Sequence, residues 1–144
     1  MSKSNACETG WLTLFFNATT FAKIADNTGT TPLTNLYVSL HVADPGEAGT
    51  QTTSECSYTS YARVAVPRTS ATPGWAVSGN SVSPTQSITF PACTGGSQTA
   101  THFGIGELST TGGALYYVGT VTPNQAISSG VTPVLSKATA IVED

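Results

Sequence analysis

Charge is the scarcest commodity in this chain. Only 9% of its 144 residues are Asp, Glu, Lys or Arg, against about 25% in an ordinary soluble domain. The five basic residues, Lys3, Lys23, Arg63, Arg68 and Lys137, are scattered, and the net charge is −3. They make no basic patch, which excludes the phosphate contacts on which nucleic-acid binding depends. Long apolar runs are missing too. The stretch Trp11 to Phe16 falls far short of a bilayer-spanning helix, and its polar side is not rich in the Lys and Arg of a membrane-surface helix. No membrane partner is expected. The opening MSKSNACETG is polar and lacks the pattern of a secretory leader, so synthesis in cytoplasm is expected. The three cysteines, Cys7, Cys56 and Cys93, are too few and too widely spaced for a zinc site or a disulfide framework. They are expected to be plain thiols, buried or half-buried.

Signatures of catalysis are also lacking. There is no HxH, HExxH or CxxC, no GxSxG, no phosphate-binding loop and no GxGxxG opening a helix. Gly104-Ile105-Gly106 lies inside an apparent strand. The best candidates for a metal site or an acid–base pair are His41, Asp44, Glu47 and His102. The two histidines are far apart in sequence, and Asp44 has a simpler use as the first residue of a Pro-Gly turn. The expectation is a protein that is not an enzyme, with no cofactor and no metal.

In place of charge the chain carries Thr, Ser and Gly, a composition that favours strands and turns. The organising stretch is Asn35 to Gly49. Leu36, Val38, Leu40 and Val42 alternate with Tyr37, Ser39 and His41, the period of a half-buried β-strand. Asp44-Pro45-Gly46 stops it abruptly. The long polar segment that follows, to Ser60, lacks apolar periodicity, and such loops are usually functional or disordered. Further strands are read at Tyr61–Pro67, Ser87–Phe90, Thr101–Leu108, Ala114–Val121, Val131–Leu135 and Ala138–Val142. Gln125–Ser128 stands before a turn at Ser129-Gly130. Thr110–Gly113 forms a turn that pairs Thr101–Leu108 with Ala114–Val121 antiparallel. Trp75 and Val77 are read as loop anchors. The glycines at 104 and 106 leave room for something bulky, such as Trp11 or Trp75, or for another backbone.

One helix is predicted, Gly10 to Ala25, with Trp11, Leu14, Phe15, Ala18, Phe21, Ala22 and Ala25 on its apolar stripe and Glu8-Thr9 as its cap. The spacing of short strands between Gly and Pro turns predicts an all-β protein, a jelly-roll-like antiparallel β-sandwich with one short N-terminal helix. A single domain is expected, with 1–34 as helix and arm and 35–144 as the sandwich. The rings of Tyr37, Tyr58, Tyr61, Trp75, Tyr116 and Tyr117 suggest a sugar-stacking face, but packing is the commoner use of such residues.

Several segments taken together resemble a family of small tailed-bacteriophage structural proteins. They are WLTLFFNATTFAKIADN, LYVSLHVADPGEAGTQ, YARVAVPR, SITFPACTG followed by ATHFGIGE, GALYYVGTVT and the terminal ATAIVED. The combination of LYVSLH-x-ADPGEAGT with THFGIG is the specific part. Members are commonly labelled tail-fibre or minor capsid proteins, and those seen in virions are capsid cement (decoration) proteins. The resemblance implies a jelly roll on the outer surface of a shell of the HK97 type, bridging major capsid protein subunits, and a homo-oligomer with a dimer favoured. The residues expected at such contacts are Trp11, Phe15, Phe21, Glu47, Gln51, Glu55, Arg63 and Arg68, with the helix and the 44–60 loop as the contact elements. The alternative implied is a tail-fibre module contacting host surface glycans.

Overall fold

A computed structural model describes residues 5–20 and 33–142. Among these residues the fold is all-β with one short helix and several antiparallel sheets, as expected of a β-sandwich. The elements run α1 (Asn5–Asn17), β1 (Asn35–His41), β2 (Val64–Pro67), β3 (Trp75–Ser78), β4 (Ser81–Pro84), β5 (Ile88–Thr89), β6 (Ser97–Gly106), β7 (Leu115–Ser128), β8 (Val134–Leu135) and β9 (Ile141–Val142). They group into two compact units.

The first unit comprises residues 1–35, 66–87 and 136–144. It holds α1 and the antiparallel sheet β3-β4-β9. The hairpin β3–β4 corrects the reading of Trp75 and Val77 as loop anchors. Trp75 stands in a strand opposite Pro84, is 2% exposed, and packs on Phe16 at 4.8 Å between ring centroids. The helix differs from its prediction at both ends. It begins at Asn5, so Thr9 lies inside it, where the hydroxyl donates to the Gly79 carbonyl at 2.6 Å. It ends at Asn17 because Ala18 takes a left-handed conformation (φ 53°) and Thr19 N–H closes back on the Thr13 carbonyl at 3.1 Å. That bond is the signature of a helix stop. Residues 21–25 of the predicted helix, Phe21 among them, lie outside the described residues.

The buried face of α1 also differs. Leu12 and Phe16, four apart, are wholly buried, whereas Trp11 is 45% exposed. Apolar residues lie on both sides of this short helix, so periodicity alone does not choose the face that packs. Arg68 completes the helix end. Its guanidinium donates to the carbonyls of Phe15 (2.5 Å), Leu14 (2.8 Å) and Leu33 (2.7 Å). Carbonyls in the last turn of a helix have no partner inside it, and a cation there also suits the helix dipole.

The second unit, residues 36–65 and 88–135, is built on a four-stranded sheet of order β2-β1-β6-β7. β1 runs antiparallel to β6, with Val38 opposite Ile105 and Leu40 opposite Phe103, and β6 runs antiparallel to β7 through the expected turn. A short ladder, β5–β8, pairs Ile88 with Leu135. β6 starts earlier than its apolar residues suggest. β7 runs on past Val121 through Pro123 to Ser128, because it is an edge strand where a missing N–H costs no ladder bond. A register shift between Ala100 and His102 takes up the extra residues.

Leu36, Val38, Leu40, Phe103, Ile105 and Val121 are buried on one side of this sheet. The expectation that the other side of β1 is solvated fails. Ser39 and His41 are both 0% exposed, while Val42 is open. They are covered because the 44–60 segment folds back over them. Val42 N–H bonds the Ser54 carbonyl and Cys56 N–H the Leu40 carbonyl, each at 2.8 Å, and Gln51 N–H bonds the Gly113 carbonyl at 3.0 Å. Cys56 and Cys93 are buried free thiols. Burial pushes the Cys56 thiol up to about 11, with help from the nearby Glu55 charge, so neither its packing nor its acidity suggests reactivity.

A groove on the exposed face of β7

Three polar clusters hold the 44–60 segment down, all within the second unit. In the first, His41 Nδ1 lies 2.9 Å from the Thr53 carbonyl, which only accepts, so Nδ1 carries the proton. Nε2 then accepts from the Ser39 hydroxyl at 2.8 Å. Burial is the main cause that lowers the His41 pKa below its usual 6.5 and keeps the ring neutral. A serine hydroxyl hydrogen-bonded to an imidazole has the spacing of a nucleophile and its base. Neither side chain is accessible, however, so no substrate can reach this pair. Gly104 makes the room. A methyl there would stand 2.8 Å from His41 Nε2 and 2.9 Å from Ser39 Oγ.

In the second cluster, Gln51 imitates a strand. Its Nε2 donates to the Leu108 carbonyl at 3.2 Å and its Oε1 accepts the Leu108 N–H at 2.9 Å. Gly106 and Gly113 leave space for the amide, since a Cβ at either would overlap it. The glycines of β6 therefore admit Ser39, His41 and Gln51, not a tryptophan. The third cluster is Arg63 with Glu55. Arg63 Nε and Nη2 reach Glu55 Oε1 and Oε2 at 2.7 and 2.8 Å, while Nη1 and Nη2 donate to the carbonyls of Leu108 (2.9 Å) and Thr111 (2.8 Å). The Tyr61 hydroxyl donates to Glu55 Oε1 at 2.9 Å and accepts Leu40 N–H at 3.0 Å. Burial pushes the Tyr61 phenol far up, and Tyr58, whose hydroxyl donates to the Pro91 carbonyl, is pushed up to about 12 by the same cause.

These clusters bear on the residues expected at partner contacts. Gln51 is wholly buried and presents nothing to a partner. Glu55 and Arg63 are engaged with each other, their side chains 14% and 3% exposed. Arg68 is committed to the end of α1, and Phe15 is half-buried beside Trp11 and Phe16. Glu47 and Trp11 are exposed.

Glu47 lies on an open groove of about 610 Å³. Asp44, Gly46 and Glu47 make one wall, and His102, Leu115, Tyr116, Val118, Gly119 and Thr120 line the rest. The Pro-Gly turn shapes the wall as the sequence implies: Asp44 Oδ1 accepts Gly46 N–H at 2.9 Å and Gly46 has φ 71°. Val118 and Thr120 alternate along β7 on the side that bears His102, and Tyr116, at the register shift beside Gly106, also lines the groove. Tyr116 and Val118 are 40% and 39% exposed. The Tyr116 hydroxyl donates to Glu107 Oε2 at 3.0 Å, and Glu107 Oε1 accepts Ala114 N–H at 3.0 Å, so a carboxylate tied to the backbone holds the end of the ring. His102 Nδ1 shares a hydrogen bond with Thr101 Oγ1 at 2.9 Å. The groove thus gathers Asp44, Glu47 and His102, three of the four residues weighed for chemistry, and leaves out His41. No three His, Cys, Asp or Glu side chains among the described residues converge as a metal site.

The podophage GP4 fiber I protein gp80 family model matches residues 2–142. The chain belongs to this family. It is a phage virion structural protein, in line with the resemblance carried by LYVSLH and THFGIG. No curated protein matches it. The match spans residues of both units and of the groove.

Proposed function

We propose that this virion protein is a non-enzymatic fibre component, built into an appendage and not spread over the shell as a cement. The observation that carries this reading is the fate of the 44–60 segment. A cement needs polar loops that extend into the gaps between capsid subunits. Here the segment is folded onto its own unit through Gln51, Glu55 and Cys56, and its open turn at Asp44–Glu47 borders a groove. The fibre name of the family points the same way. Catalysis has no place in this role, and the protein works by holding a rigid β-framework in a fixed setting.

The test is the abundance of the chain in purified virions, measured by quantitative mass spectrometry against the major capsid protein, with its density located in a particle reconstruction. A few copies at the tail or on a fibre sustain the proposal. A copy number comparable to that of the major capsid protein, distributed over the shell, overturns it in favour of capsid cementing.

A further inference from the structure

We propose that the groove on β7 is a saccharide-binding site for an uncharged or amino-bearing pyranose. This deepens the fibre reading, on which it rests for the setting in which the sugar is met. Four properties of the groove select that chemistry. Its volume, about 610 Å³, lies within the range of small-ligand sites, about 300–1,000 Å³. It is open to solvent, so a sugar within a longer chain can enter without threading.

Its floor offers the Tyr116 ring, held at its hydroxyl by Glu107, beside the apolar surface of Val118. The C–H face of a pyranose lies well on such a ring, whose own polar tip is already satisfied. Finally, the groups around this platform are hydrogen-bonding partners for ring hydroxyls. The Asp44 and Glu47 carboxylates accept, the Thr120 hydroxyl both donates and accepts, and His102 Nε2 does one or the other according to tautomer. Nδ1 of that ring is taken by Thr101, which sets its orientation.

The charge of the groove excludes part of the sugar repertoire. Among the described residues, two carboxylates line it and no Lys or Arg does. A sugar bearing carboxylate, sulfate or phosphate meets like charge there and is rejected, whereas an amino group is welcomed by Asp44, Glu47 and the face of Tyr116. Aromatic and carboxylate groups in one groove therefore predict selectivity by sign as well as by shape.

The experiment is an amide-detected NMR titration of the full chain with methyl glucoside, methyl glucosaminide and methyl glucuronide, followed by a glycan array. The expected result is perturbation by the first two sugars at residues 44–47, 102 and 115–120, with the glucuronide at least about tenfold weaker, a difference of about 1.4 kcal/mol. Tyr116→Ala should weaken binding about tenfold or more, while Tyr116→Phe, which keeps the ring, should bind within about threefold of the parent. Glu47→Gln, at an exposed side chain, should narrow the gap between glucoside and glucuronide. No perturbation by any of the three with no array hit, shifts centred elsewhere, or preference for the anionic sugar overturns the site. If Tyr116→Ala proves unfolded, the Glu47→Gln selectivity still decides. Fibre location is judged separately by copy number, so a groove that binds sugar on a shell-wide protein would sink the fibre reading alone. A fibre protein whose groove binds nothing would sink this inference alone.

Discussion

The Arg63–Glu55 pair offers the most direct check on the energetics of the second unit. Consider Glu55→Gln, which keeps shape and volume and removes one charge. The Arg63 side chain is 3% exposed and now meets Glu55 through two bonds of 2.7 and 2.8 Å. In the variant it faces a neutral amide, one end of which is itself a donor. Tyr61 also loses a charged acceptor, which it presently meets at 2.9 Å. Breaking a buried ion pair from one side costs about 3–5 kcal/mol, because the remaining charge stays desolvated. That is a large share of the roughly 5–15 kcal/mol that holds a domain folded. At about 2–4 °C per kcal/mol for a chain of this size, the melting temperature should fall by about 6–20 °C. Calorimetry and urea titration of the full chain measure both quantities. A double-mutant cycle with Arg63→Met separates the pair from its surroundings, and coupling of about 2 kcal/mol or more is expected. A loss under about 1 kcal/mol for Glu55→Gln, the range of exposed pairs, would refute the claim that this bridge pins the 44–60 segment.

Gly104→Ala should cost about 1–3 kcal/mol by overpacking, since its methyl would crowd Leu115 Cδ1 as well as Ser39 and His41. A neutral result in a urea titration would mean that the cradle is looser than described. The folded chain holds His41 below its usual pKa of 6.5, so the unfolded chain binds that proton first. His41 therefore contributes stability that is present above the unfolded value and lost as pH falls below about 6.5. Stability measured from pH 7 to pH 5 should decline, and the decline should be shallower in His41→Gln; equal slopes would contradict the assignment. Arg68→Met should cost about 1.5–3 kcal/mol, the worth of hydrogen bonds from a charged group, with a weaker helical signal in circular dichroism. An unchanged spectrum and melting temperature would show that α1 does not need this cap.

Deletion within 44–60 illustrates how far local reading goes. Taken as a free contact loop, residues 47–57 look dispensable. In the fold they supply Gln51 to Leu108, Glu55 to Arg63 and Cys56 to Leu40. Their polar composition marks them as loop, and nothing in it tells a segment that projects from one that folds back.

Sequence by itself determined the class of fold, the strand at Asn35–His41, the β6–β7 hairpin, the Asp44–Gly46 turn and the phage structural family. Each depends on neighbours along the chain: alternation that repeats every two residues, a proline and glycine at a stop, or a string of motifs in order. Tertiary structure alone decided which face of α1 packs, since Trp11, Leu12, Leu14, Phe15 and Phe16 together span more than half of the helix surface and packing against Trp75 buries Phe16. It also decided the β3–β4 hairpin, whose serines dilute the alternation. The gaps at Gly104 and Gly106 were visible in the sequence, but their occupants, Ser39, His41 and Gln51, come from far along the chain. The groove has the same origin, because it exists only where a turn after β1 is brought beside the outer face of β7. Burial and hydrogen bonding between distant residues are properties of the folded pairing, and a one-dimensional pattern carries no record of them.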